Sequence, residues 1–181
     1  MRAGCNAANA CQLLAEDRAA EALAAAELSI ADAEVVGINS DPAKWAFTYA
    51  MEAAASLGDL ARLQELIAAI ESAPRGLRSP RLGAQATRYR AHLIAITGEG
   101  DPSASWKAAA GAFREVGSMF WVAVTLVELG EWLASHDRSE EAVASLDEAR
   151  TIFQRLRATP WLERIERVSP PVASSGAEAA S

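Results

Sequence analysis

Few side chains in this sequence could carry covalent or acid–base chemistry, and their spacing limits what each can be. His92 and His136 stand 44 residues apart, with no H-x-x-x-H or C-x-x-C companion. A metal site needs three or four ligands on neighbouring faces, so neither a metal nor any other cofactor is expected. His136 follows an apolar helical run, where a cation would face the helix dipole. His92 reads as a packed or half-exposed helix residue. Glu128 and Glu131 are three apart on one helix, and Glu140 and Glu141 are adjacent. General acid–base work needs a pocket that drives two pKa values apart. Surface and capping roles account for both acidic pairs without one. Gly98-Glu99-Gly100-Asp101 lacks the lysine and the preceding strand of a phosphate-binding loop, so it reads as a turn. No catalytic constellation remains, and the chain is expected not to be an enzyme.

Arg75, Arg78, Arg81, Arg88 and Arg90 form a basic run with no acid between them. It is either a patch for an acidic protein surface or a solvated connector and helix. The whole chain carries a net charge of −7. Affinity for nucleic acid comes mainly from neutralising phosphates, so no nucleic-acid partner is expected. Cys5 and Cys11 are six apart on one helix and point to different faces, which argues against a disulfide between them. With no disulfide framework, a cytoplasmic location is the simplest expectation. No apolar segment follows Met1 and Arg2 as in a signal peptide, and none is long enough to span a bilayer. No membrane partner is expected.

The elements that must position these residues are all helical. Ala, Leu, Glu and Arg dominate, and these are strong helix formers. Gly and Pro fall mostly between apolar segments. Punctuation predicts eight long helices and a short ninth: from about Ala3 to Glu16, Ala19 to Val35, Ser40 to Leu57, and the turn at Gly58-Asp59 to Ser72. The next four run from Pro80 to Thr97, Asp101-Pro102 to Gly117, Ser118 to Ser135 and Ser139 to Arg157, and the last from Thr159 to Arg167. Residues 168–181 hold Pro170-Pro171 and then Ser, Gly and Ala, and a disordered tail is expected there. Residues 1–167 form one expected domain.

Short turns force neighbouring helices antiparallel, and the hairpins repeat. Phe113, Val116 and Trp121 recur forty residues later as Phe153, Leu156 and Trp161. Asp17-Arg18 with Ala22 recurs three periods later as Asp137-Arg138 with Ala142. Self-similarity at such a period marks a helical array, with an ordinary alanine-rich bundle as the alternative.

The copies resemble the tetratricopeptide repeat. Leu126, Leu129-Gly130, Leu133, Ala142, Leu146 and Ala149 make the best one. A second runs Phe47, Ala50, Ala54, Gly58, Leu63, Ile67 and Ile70. In the first copy Asn9 replaces the family's Leu, and in the third Arg90 replaces its Gly. The resemblance implies an all-α, α-α superhelix of about four helix-turn-helix repeats with a short C-terminal capping helix. In it, Gly130 and Ala142 let two helix backbones approach.

A narrower resemblance covers the last third. Phe113-Arg114-Glu115-Val116-Gly117, Trp121, Glu128-Leu129-Gly130-Glu131-Trp132-Leu133 and Ala158-Thr159-Pro160-Trp161-Leu162-Glu163-Arg164 look like the C-terminal repeats of large bacterial signalling proteins. Those proteins join a class III cyclase or LuxR-type DNA-binding domain to an ATPase. The implied function is a non-catalytic regulatory or scaffold module that binds a protein. The alternative is a domain that senses a small effector in its groove.

The family's groove positions, carried onto the four copies, give Ala7, Cys11 and Leu14 on the first helix and Trp45, Thr48 and Glu52 on the third. They give Thr87, Ala91 and Ile94 on the fifth and Val124, Val127 and Glu131 on the seventh. This lining is apolar with two acids and no Lys or Arg. The expected partner is therefore a protein or peptide with an apolar face and some basic groups. Self-association through an uncapped N-terminal hairpin is a further expectation.

Overall fold

The computed structural model describes residues 2–74 and 76–168; for residues 2, 3 and 33–36 only the backbone helix is described. Arg75 and the expected tail lie outside the described residues. Nine α-helices and no strand occur among them: α1 Arg2–Ala15, α2 Ala19–Val36, α3 Asp41–Leu57, α4 Leu60–Ser72, α5 Pro80–Thr97, α6 Ser103–Glu115, α7 Met119–Ser135, α8 Ser139–Leu156 and α9 Thr159–Val168. The bounds follow local chemistry. Pro42 and Pro80 sit in the first turns of α3 and α5, where a missing N–H costs nothing. The Asp59 carboxylate caps α4 by accepting from the Arg62 N–H at 3.0 Å. Asp101 Oδ1 likewise accepts from the Ser103 N–H at 2.8 Å, at the start of α6.

The forty-residue period reappears in the backbone. Each tight turn is closed by an N–H that reaches back five residues to a carbonyl, as in the Schellman motif. Arg18 reaches Leu13, Asp59 reaches Ala54 and Arg138 reaches Leu133, at 2.9, 2.9 and 3.0 Å. Ser118 reaches Phe113 and Ala158 reaches Phe153, at 2.9 and 3.0 Å, so the sequence-equivalent phenylalanines occupy equivalent turns. Both are fully buried, and their partners three residues on, Val116 and Leu156, are both exposed. The left-handed residue these turns require is Gly58 or Gly117 in two cases and Asp17, Asp137 or Arg157 in the others.

The described residues fall into two compact units. In the first, 1–118, three hairpins stack: α1 packs on α2 and α3, α3 on α4 and α5, and α5 on α6. The odd-numbered helices therefore lie side by side. The core is mostly alanine and medium aliphatics, with Phe47, Met51, Leu63, Ile70, Leu82 and Tyr89 filling between the small residues. Its alanines, Ala10, Ala22, Ala26, Ala50, Ala53 and Ala54 among them, keep the helices close.

In the second unit, whose described residues are 119–168, α7 packs on α8, and α9 lies against both. Thus α9 meets α7 as α3 meets α1, and it buries Ile165 fully. Phe153 and Trp161 stack at 5.3 Å between ring centres, with Phe120 edge-on to both. One expectation needs correction. Glu128 is not a surface charge: it is buried, on a helix whose residues Val122 to Gly130 are all buried. Its i,i+3 partner Glu131 is half-buried and accepts both bonds of the Arg164 guanidinium, at 2.6 and 2.7 Å. Glu140 and Glu141 do stand in the first turn of α8, where the dipole favours them.

Candidate partner-binding face

In the first unit the α1 and α3 backbones run beside each other with small residues facing across. Gly4, Ala7, Ala8 and Cys11 form one wall of an open hollow of about 440 Å³. Asp41, Pro42, Trp45 and Tyr49 form the other. The spacing of both sets, three or four residues, is that of one helix face. Trp45 stacks on Tyr49, centres 5.8 Å apart and nearly parallel, and keeps 37 % of its surface exposed. The phenol of Tyr49 stays neutral. Burial pushes its pKa up, and the neighbouring Cys11 thiol adds to this. Both cysteines are free and exposed.

Two rungs join α3 to α5 along this face, each between residues 36 apart and the pair one heptad apart. In the first, the Arg81 guanidinium lies 4.2 Å above the Trp45 ring. In the second, Arg88 reaches Glu52 Oε2 at 3.4 and 3.5 Å. Arg88 is 1 % exposed, and Gln85 and the Tyr89 hydroxyl also accept from it, each at 3.2 Å. Tyr89 in turn donates to Glu52 Oε2 at 2.5 Å. Glu52 is thus committed within the fold even though its side chain is 40 % exposed. A buried guanidinium needs such a partner, since its desolvation costs several kcal/mol.

Of the residues expected to line a groove, Ala7, Cys11, Trp45 and Glu52 share this face. Leu14 packs partly against the core. Thr48 is buried, and its hydroxyl donates to the Lys44 carbonyl at 2.8 Å. Thr87 and Ile94 lie on the other side of α5. They line hollows that also contain Glu71 of α4. Ala91, Val124 and Val127 are buried. Glu131 is held by Arg164 in the second unit.

The basic run does not make one surface among the described residues. Arg88 is buried, Arg81 rests on Trp45, and Arg90 pairs with Glu71 of α4. Arg78 lines a shallow hollow with Thr87. Arg75 lies outside the described residues.

Family positions missed Arg81 and Gln85 on the degenerate third copy and Tyr49 on the second. The recoverable signal was i,i+4,i+7 spacing: Arg81, Gln85 and Arg88 on α5 mirror Trp45, Tyr49 and Glu52 on α3.

His92 and Trp106 meet edge to face at 5.4 Å, and His136 stacks on Trp132 at 4.2 Å. His136 Nδ1 is 2.8 Å from the Trp132 carbonyl, at the last turn of α7. Among the described residues no three His, Cys, Asp or Glu side chains cluster as metal ligands. No described helix is long and apolar enough to cross a membrane. No protein-family model matches the chain, and no curated protein is significantly similar to it.

Proposed function

We propose that this chain is a non-catalytic protein-binding module, a helical array of the tetratricopeptide kind, which holds a partner segment on the face of α1, α3 and α5. The observation that carries this is the α1/α3 hollow. Its α1 wall is made of small residues, and its α3 wall carries a half-exposed, stacked Trp45. Interface hot spots favour such an aromatic, because rigid apolar area is gained at little entropic cost. The helical repeat pattern and the resemblance of residues 113–164 to regulatory repeats support a cytoplasmic, bacterial signalling role, attached to or working with a cyclase or a transcription regulator.

Phage-displayed peptides panned on the purified full chain test the reading. Enriched sequences should bind wild type and lose at least roughly ten-fold in affinity on Trp45→Ala, a hot-spot loss of about 1.4 kcal/mol or more. Equal binding by a well-folded Trp45→Ala variant would remove the site.

A small-effector sensor is the second reading, favoured by the size of the hollow. About 440 Å³ lies within the roughly 300–1,000 Å³ of small-molecule sites. A thermal-shift screen of metabolites separates the two, since a ligand specific for the folded state raises Tm.

A further inference from the structure

The acids that suggested a basic partner are both engaged inside the fold. Glu52 accepts from Arg88 and Tyr89, and Glu131 from Arg164. The charge left uncommitted at the hollow has the opposite sign. Among the described residues Arg81 has no carboxylate within ion-pair distance; its guanidinium lies over the Trp45 ring and acts on the Asp41 carboxyl only at longer range, as the last of the influences that lower it. Stacking holds a guanidinium in place while its N–H donors stay available at the edge. Asp41 also stands at the rim, but its carboxylate accepts from Lys44 at 3.0 Å. Counting Asp41, Lys44 and Arg81 together, the rim carries a surplus of one positive charge, and it lies at the N-terminal end of α3, where the dipole adds to it.

We propose that the α1/α3 hollow takes an acidic–apolar segment of a partner protein: an aliphatic or aromatic side chain fills the hollow, and a neighbouring carboxylate bonds the Arg81 guanidinium. The assignment rests on the reading of this face as a partner surface and gives that partner its chemistry. Trp45 serves twice, as apolar wall and as the platform that aims Arg81. A bidentate carboxylate would replace water on donors that no acceptor among the described residues uses, which is the arrangement in which arginine recognition is strongest. The rung one heptad along shows the alternative state, with Arg88 already neutralised by Glu52 of its own chain.

The test titrates the full chain with acetyl-Gly-Leu-X-Leu-Gly amides in which X is glutamate, glutamine or lysine. The indole N–H resonance of Trp45 is followed, identified by its loss in Trp45→Phe. The glutamate peptide should bind roughly five-fold or more tighter than the glutamine peptide, with lysine weakest, and the ranking should compress as salt is raised. Arg81→Gln should abolish the preference, bringing the glutamate peptide to the affinity the same variant shows for the glutamine peptide. Lysine binding as well as glutamate, or a ranking untouched by Arg81→Gln, would overturn the charge assignment and leave the surface reading standing. A response to 4-phenylbutyrate but to none of the peptides would make the occupant a small organic acid and overturn the proposal. No response to any probe would overturn it as well, while peptide selection on Trp45→Ala decides the surface reading separately.

Discussion

A Cβ placed on Gly130 would lie 2.6 Å from both Cγ and Cδ2 of Leu146, so α7 and α8 cross at a point that admits no side chain. Leu146 is fully buried and cannot swing aside. Gly130→Ala should therefore destabilise the protein by about 1–3 kcal/mol through overpacking, although alanine in an open helix would gain about 1 kcal/mol. A urea titration reads the loss. Adding Leu146→Ala should give less than the sum of the two single effects, because each relieves the other. Strict additivity would deny the contact.

α9 is held to its unit by Ile165, fully buried, and by the Arg164–Glu131 pair. Ile165→Ala should cost about 2–5 kcal/mol. The ion pair is a third exposed on both sides, so Arg164→Ala should cost only about 1 kcal/mol or less. Comparing the two variants by thermal melting checks the order. A larger effect at Arg164 would mean that charge, not burial, docks the helix.

The turn after α8 puts Arg157 in the left-handed region at φ 55°. A non-glycine residue there is strained by about 1 kcal/mol, and glycine adopts the conformation freely. Arg157→Gly should raise stability by a few tenths to about 1 kcal/mol, measured by urea midpoint. A loss of stability would show that the arginine side chain contributes more than its backbone costs.

The Arg18 guanidinium donates to both Glu21 and Glu16, across the first turn of the chain. The hydrogen bonds from Arg18 hold the Glu21 carboxyl below the usual range, and that of Glu16 is lowered by Gln12 first and Arg18 second. Folded-state values below unfolded ones stabilise the protein above the unfolded carboxylate pKa, and this contribution fades as pH falls through the folded values. NMR titration should show both carboxylates titrating low, and Arg18→Ala should return Glu21 upward. An unmoved Glu21 in the variant would exclude the pair as cause.

The helices were readable because their ends carry strong local chemistry. Pro42, Pro80, Gly58, Gly98 and the Asp-Arg turns at 17 and 137 sit at or just beyond the helix ends, and expected bounds agree with observed ones to within one or two residues. The period was readable because Phe113 and Phe153 repeat both residue type and turn. The face was readable only in part. Cys11 and Trp45 lie on helices whose register the alanine pattern fixes. On α5 the pattern is interrupted by Arg88 and Arg90, and the family register selected Thr87 and Ile94, on the side toward α4, in place of Arg81 and Gln85. Nor does a sequence reveal which acids already have partners. Glu52 and Glu131 looked available for a basic ligand, while Arg88, 36 residues on, and Arg164, 33 residues on, neutralise them. Reversing Glu52 to lysine would set a cation against buried Arg88, so such a change tests folding before it tests binding.

The partner-binding account is tested most directly by hydrogen–deuterium exchange of the full chain, with and without a saturating peptide from the selection on wild type. Slower exchange should concentrate in residues 4–15 and 41–52, the stretches of α1 and α3 that flank the hollow, and should vanish with Trp45→Ala. Protection confined to other helices, or none at saturation, would contradict it.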